Sequence, residues 1–135
     1  MQRKYLKIRG DTMSWDLKND RPIYTQLIEQ IQLKIFAGVY PLGSKLPSVR
    51  DMAQEAAVNP NTMQRALAKL EEDGLIITHR TSGRSVTEDA RMVEMAKTRL
   101  AKEQIKEFLE KMKLMGFDQK EILAIINTMA EEMKE

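Results

Sequence analysis

The sequence predicts a mainly α fold with a small β wing: an N-terminal winged helix-turn-helix followed by a C-terminal two-helix hairpin. Three observations carry this expectation. Apolar residues recur at helical spacing in three segments between positions 23 and 74. A short β-branched run and a turn containing Gly83 come directly after them. The remainder, from about Asp89, is Gly-free up to Gly116 and patterned for two more helices.

The first helix follows Pro22, with Ile23, Leu27, Ile31 and Ile35 every four residues and Ile28 and Phe36 widening the stripe. Pro22 fits a first helical turn, where its missing N–H costs nothing, and Gly38 stands where a helix usually stops. After the turn Tyr40-Pro41-Leu42-Gly43, Ser48 can cap a short helix ending near Ala56, with Asp51 completing a pair like a capping box. Asn59 then caps a third helix whose first residue is Pro60. Met63, Ala66, Leu67 and Leu70 form its apolar face, and Gly74 closes it. Strands are expected at Leu75–Thr78 and Ser85–Thr87, joined by a turn from His79 to Arg84.

The tail reads as one long helix with an apolar stripe from Val93 to Met115, a break at Gly116-Phe117, and a last helix capped by Asp118 and Glu121. So short a turn should produce an antiparallel hairpin. Residues 1–12 form a basic leader, read as a flexible arm; 13–88 the winged domain; 89–135 the helical region.

Composition narrows the class. The 135 residues are 42% hydrophobic and 31% charged, as in an ordinary globular protein. No run approaches the roughly 18 apolar residues of a membrane span, and the basic N-terminus lacks the apolar core of a secretory signal. With no Cys there are no disulfides or thiolate metal sites, which suits a cytoplasmic location. The net charge of +2 divides into +3 over residues 1–88 and −1 over 89–135, the sign expected if the first part meets phosphate.

Function rests on the second and third helices. In a helix-turn-helix the second helix enters the major groove while the first braces it. With the apolar face of the third helix packed inward, Asn61, Gln64 and Arg65 turn outward, and Thr62 can reach a phosphate or base edge. Arg pairs bidentately with guanine, and Gln or Asn with adenine. The N–H groups opening that helix favour a phosphate. Arg50 is the natural clamp on the DNA backbone, and Arg80, Gly83 and Arg84 would let the wing approach the minor groove or its phosphates. Singly, each of these is an ordinary surface or turn residue; their joint order and spacing is what points to DNA. His79 reads as a wing residue rather than a metal ligand or catalyst, since it is the only His and has no Cys partner. An enzyme is disfavoured by the absence of a phosphate loop or a metal-spaced cluster, so neither catalytic residues nor a cofactor are expected. A second rival is a winged-helix module that docks on protein, but such modules usually lose the polar recognition face that Asn61, Gln64 and Arg65 retain here; a third is an activator or dual regulator, whose DNA contacts would be identical to a repressor's.

The run LPSVRDMAQEAAVNPNTMQRALAKLEEDGLI resembles the DNA-binding domain of GntR-type bacterial regulators. Pro47-Ser48-Val49-Arg50, Asn61-Thr62, Arg65-Ala66-Leu67 and Leu70-Glu71 with Gly74-Leu75 stand where that family's pattern places them. Asn59-Pro60-Asn61-Thr62, the wing from Arg80 to Arg84 and the short helical tail are similar to the YtrA subfamily. The resemblance implies a homodimer on operator DNA that represses its own or a neighbouring operon, often one for an ABC transporter. It carries DNA contacts to Arg50, Asn61, Thr62, Arg65, Gly83 and Arg84. Ser85 stands where the family usually has an apolar or aromatic residue, which implies a less firmly anchored wing.

The tail has more apolar surface than a hairpin can satisfy, and two-fold pairing is the commonest solution. Leu100, Ile105, Phe108, Leu109, Met112, Ile122, Ile126 and Met129 are the expected dimerisation residues. A roughly palindromic operator follows from such symmetry. No effector can be named from these residues.

Overall fold

The computed structural model describes residues 15–134. The leader expected over residues 1–12 therefore lies outside the described residues. Seven elements follow in order: α1 (Ile23–Phe36), α2 (Val49–Ala56), α3 (Pro60–Glu72), β1 (Ile76–His79), β2 (Gly83–Val86), α4 (Ala90–Leu114) and α5 (Gln119–Glu132). The described residues divide into two compact units, one up to Lys97 and the other from Thr98. No helix among the described residues is long and apolar enough to cross a membrane.

The first unit is a winged helix. Leu27, Ile31 and Ile35 of α1 meet Met52, Ala53 and Ala56 of α2 and Met63, Ala66, Leu67 and Leu70 of α3 in one core, closed by Leu75, Ile76 and Val86 from the wing. Met92, Val93 and Ala96, from the first turns of α4, pack on the same core. That packing is why the division falls after Lys97, inside α4, and not at the composition change near Asp89.

Backbone ends obey local chemistry. Ser48 Oγ accepts from Asp51 N–H at 3.1 Å, and Asp118 and Glu121 form a reciprocal capping box at 2.8 and 2.9 Å. At the end of α4, Gly116 adopts φ 97° while Gly116 N–H donates to the Lys113 carbonyl and Phe117 N–H to that of Met112. This paired closure satisfies carbonyls that the helix end would otherwise orphan.

The strands sit slightly off the expected positions. At the start of β1, Leu75 N–H closes α3 on the Leu70 carbonyl at 3.0 Å, while its carbonyl already accepts from Thr87 N–H at 2.9 Å in register with the ladder that begins at Ile76. β2 begins at Gly83, whose φ of 85° lets the chain turn directly into the ladder opposite His79. A feature absent from the expected elements is the short extended segment Ser44–Leu46. It lies along the free edge of β2, with Val86 N–H donating to the Ser44 carbonyl at 2.9 Å and Leu46 N–H to the Arg84 carbonyl at 2.8 Å. Both edges of β2 are thus paired, which firms the wing and leaves no open edge there. Ser85 adds to this, its Oγ sharing a 2.7 Å hydrogen bond with His79 Nε2. The wing is therefore held at Ser85 by a polar cross-strand contact.

In the second unit, Ile122 at the start of α5 is fully buried, with Leu109, Met112, Phe117 and Ile125 half-buried.

Candidate nucleic-acid interface

The turn between α2 and α3 fixes the recognition helix. Ala57 takes the left-handed conformation at φ 58° and ψ 47°, the one non-glycine with positive φ among the described residues. Val58 N–H then donates to the Ala53 carbonyl at 3.0 Å, ending α2 and aiming Asn59 at the start of α3. Asn59 Oδ1 accepts from Asn61 N–H at 2.8 Å, and its carbonyl accepts from Thr62 and Met63 at 3.0 and 3.1 Å. Pro60 has no N–H. In the single chain the first turn of α3 consequently has no spare N–H.

The side chains of α3 are displayed as the periodicity predicts. Met63, Ala66, Leu67 and Leu70 are buried, and Asn61, Gln64 and Arg65 are exposed with Thr62 half-buried. Arg50 is exposed on α2, Arg80 on the wing turn. Gly83 and Arg84 line one groove with Ser48 and Val49, so the wing and the start of α2 share a surface. Arg84 is half-buried, and its Nε is enclosed without a hydrogen-bond partner. Among the described residues no carboxylate pairs with Arg50, Arg65, Arg80 or Arg84. Their charge is available to a polyanion.

Two residues of this surface escaped the sequence reading. Lys45 is exposed on the segment paired with β2, and its Cε lies 3.8 Å from where a Cβ on Gly83 would stand. The alternation of exposed Lys45 with buried Leu46 was the available signal. Tyr24 of α1 lies under Arg65, whose guanidinium carbon is 4.7 Å from the ring centroid. No local pattern announces that contact.

Away from this surface, Trp15, Lys34, Tyr40 and Glu55 form a structural cluster. The Lys34 ammonium lies 4.9 Å from the Trp15 ring centroid, and Trp15 Nε1 donates to Glu55 Oε1 at 3.3 Å. Burial holds the Lys34 pKa below its usual value against the opposing pull of Glu55. Burial, reinforced by the Glu55 charge, pushes the Tyr40 phenol up to about 12. No group of His, Asp or Glu able to hold a metal occurs among the described residues.

In the helical region the expected dimerisation residues separate. Ile105, Phe108, Ile126 and Met129 are exposed in the single chain, and Leu100, Leu109 and Met112 are half-buried. Ile122 does not belong with them: it is fully buried within the chain, so it cannot offer a surface to a second copy. Leu123 is exposed as well and was not singled out by its spacing.

Comparison with known proteins agrees with this architecture. Residues 23–86 match the family described as bacterial regulatory proteins, gntR family. The chain is 36% identical to the uncharacterized HTH-type transcriptional regulator YhcF of Bacillus subtilis, over 88% of this chain and 98% of that protein. It is 38% identical to the HTH-type transcriptional repressor YtrA of the same organism, over 70% of this chain and 73% of the repressor. A solved GntR family transcriptional regulator from Listeria monocytogenes superposes with a TM-score of 0.76 at 38% identity, covering 83% of this chain and 98% of that one. With its helix-turn-helix, its paired wing and its exposed recognition face, this chain belongs to the GntR family of bacterial DNA-binding transcriptional regulators.

Proposed function

We propose that the protein acts in the bacterial cytoplasm as a homodimeric repressor of its own or a neighbouring operon, binding a roughly palindromic operator. The observation that carries this reading is the face of α3, where Asn61, Gln64 and Arg65 are exposed while Met63, Ala66, Leu67 and Leu70 are buried. In this reading these side chains and Thr62 contact bases and phosphates in the major groove. Arg50 holds the adjacent phosphates, and Lys45, Arg80, Gly83 and Arg84 bring the wing against the backbone. Repression is supported by the 38% identity to a repressor, YtrA. Control of an ABC-transporter operon rests on the subfamily resemblance alone.

Dimerisation through residues 98–135 is supported by exposed apolar side chains there, including Ile105, Phe108, Ile126 and Met129. Apolar surface of this kind is stabilised when a second copy covers it. Two copies related by a two-fold axis would read half-sites about 34–36 Å apart.

The test is fluorescence anisotropy with DNA from upstream of the protein's own gene, scrambled DNA and a salt series. Salt-dependent binding about 10³-fold or more tighter than to scrambled DNA is the expected result. If neither that DNA nor a site selected from a random library is preferred over scrambled sequence, the winged helix docks on something other than an operator.

A further inference from the structure

We infer that Tyr24 is a specificity-positioning residue: its ring holds the Arg65 guanidinium in a fixed orientation on the recognition helix before DNA arrives. The inference rests on the operator-binding reading and adds to it a residue from α1, outside the helix-turn-helix and the wing.

The geometry makes the case. Tyr24 is half-buried and packs against the core, so its ring is held by the fold. Arg65 is exposed, and its guanidinium carbon stands 4.7 Å from the ring centroid. No carboxylate competes for it among the described residues. The attraction of a guanidinium to an aromatic face needs no pairing of its N–H donors with a carboxylate, so the fork stays unspent. A salt bridge would use the same fork that must pair with guanine O6 and N7. Stacking therefore restrains the side chain without consuming its recognition edge. An unsupported Arg would lose its rotamer freedom on reaching a base, and the stack removes part of that loss in advance.

The other cation–ring pair shows the difference. Lys34 over Trp15 is buried, so that contact serves packing, whereas the Arg65 head group is open to a ligand.

The test begins with selection of a preferred site from a random duplex library by the full chain. Binding to every single-base variant of that site is then measured for wild type, Tyr24→Phe, Tyr24→Leu, Arg65→Ala and the Tyr24→Leu/Arg65→Ala double variant. Arg65→Ala identifies the base pair that Arg65 reads. Tyr24→Leu is expected to lower the preference at that base pair about three- to tenfold, with Tyr24→Phe within about twofold of wild type. On the Arg65→Ala background Tyr24→Leu should have no further effect on preference. A pentafluorinated phenylalanine at position 24 keeps the ring's shape but removes its electron-rich face, and should behave like Tyr24→Leu even if that variant folds poorly. Tyr24 is only a packing residue if its loss weakens all duplexes alike, if the effect persists without Arg65, or if the fluorinated ring retains full preference. A selected site at which Arg65→Ala changes no base preference overturns the inference and leaves operator binding intact. Enrichment of no site at all removes operator binding itself, and the inference with it.

Discussion

The side-chain amide of Gln26 hydrogen-bonds both backbone groups of Lys18, accepting from its N–H and donating to its carbonyl at 2.7 Å each. Nε2 also donates to the Arg21 carbonyl at 2.8 Å. Gln30 repeats the arrangement on Asp16, at 3.2 and 2.7 Å. Two glutamine side chains thus act as strand partners that strap the segment before α1 onto that helix. Gln26 is buried, so losing it leaves backbone groups under-satisfied. Gln26→Leu should cost about 2–3 kcal/mol in urea unfolding, and should open the Lys18–Asn19 bond to trypsin. Unchanged stability with unchanged proteolysis would mean the strap is dispensable.

Ala57 holds a conformation that an L-residue adopts at a cost of roughly 1 kcal/mol or more. Ala57→Gly should therefore stabilise the domain by about 0.5–1 kcal/mol even after the unfolded chain gains freedom. Ala57→Val should destabilise it, because branching at Cβ makes positive φ still less favourable. Thermal melts of the three proteins should rank Gly above Ala above Val.

Alkaline pH separates two members of the buried cluster. The folded Tyr40 keeps its proton up to about 12 while the unfolded phenol loses it near 10.0, so the folded state binds more protons and stability falls as pH rises between those values. Lys34 works in the opposite sense. Its folded pKa is lowered, so stability rises from that point up to the unfolded value of 10.5 and then levels off. Between pH 10.5 and about 12, wild type should lose stability relative to Tyr40→Phe. Parallel pH curves for the two proteins would show that burial of the phenol does not govern this range.

In the proposed operator complex, the roles assigned to Arg50 and Gln64 predict different signatures. Arg50→Ala should weaken specific and scrambled duplexes alike and reduce the slope of log affinity against log salt by about one. Gln64→Ala should leave that slope unchanged and cost about 1–3 kcal/mol of discrimination at one base pair. Reversed signatures would exchange the two assignments.

In the proposed dimer, Phe108 would serve assembly and Ile122 the fold of the single chain. Phe108 is 42% exposed, so Phe108→Glu should leave helix content intact while light scattering reports a monomer at micromolar concentration. Ile122 has no exposed surface, and Ile122→Ala should cost about 2–5 kcal/mol through the cavity it leaves. A Phe108→Glu protein that stays dimeric would place the interface elsewhere.

These contrasts trace what was readable along the chain. Asn59-Pro60 at the start of α3, the Asp118–Glu121 capping box and Gly116 past the end of α4 act within one or two helical turns, so their residue types alone announce them. The inward face of α3 was equally legible, because helical spacing turns Met63, Ala66, Leu67 and Leu70 to one side and Asn61, Gln64 and Arg65 to the other. The pairing of Lys45 with Ser85 and the stacking of Arg65 on Tyr24 join residues far apart in the chain. They exist because the core packs α1 against α3 and brings the first loop to the edge of β2. Ala57 enters the left-handed region against its own preference, with Ala53, Ala56 and Met63 closing the core on either side of the turn. Ile122 and Ile126 carry the same residue type on the same helix, one buried and the other 40% exposed. Periodicity ranks positions by their face on a helix, but which part of that face another element covers is settled only when the surfaces meet.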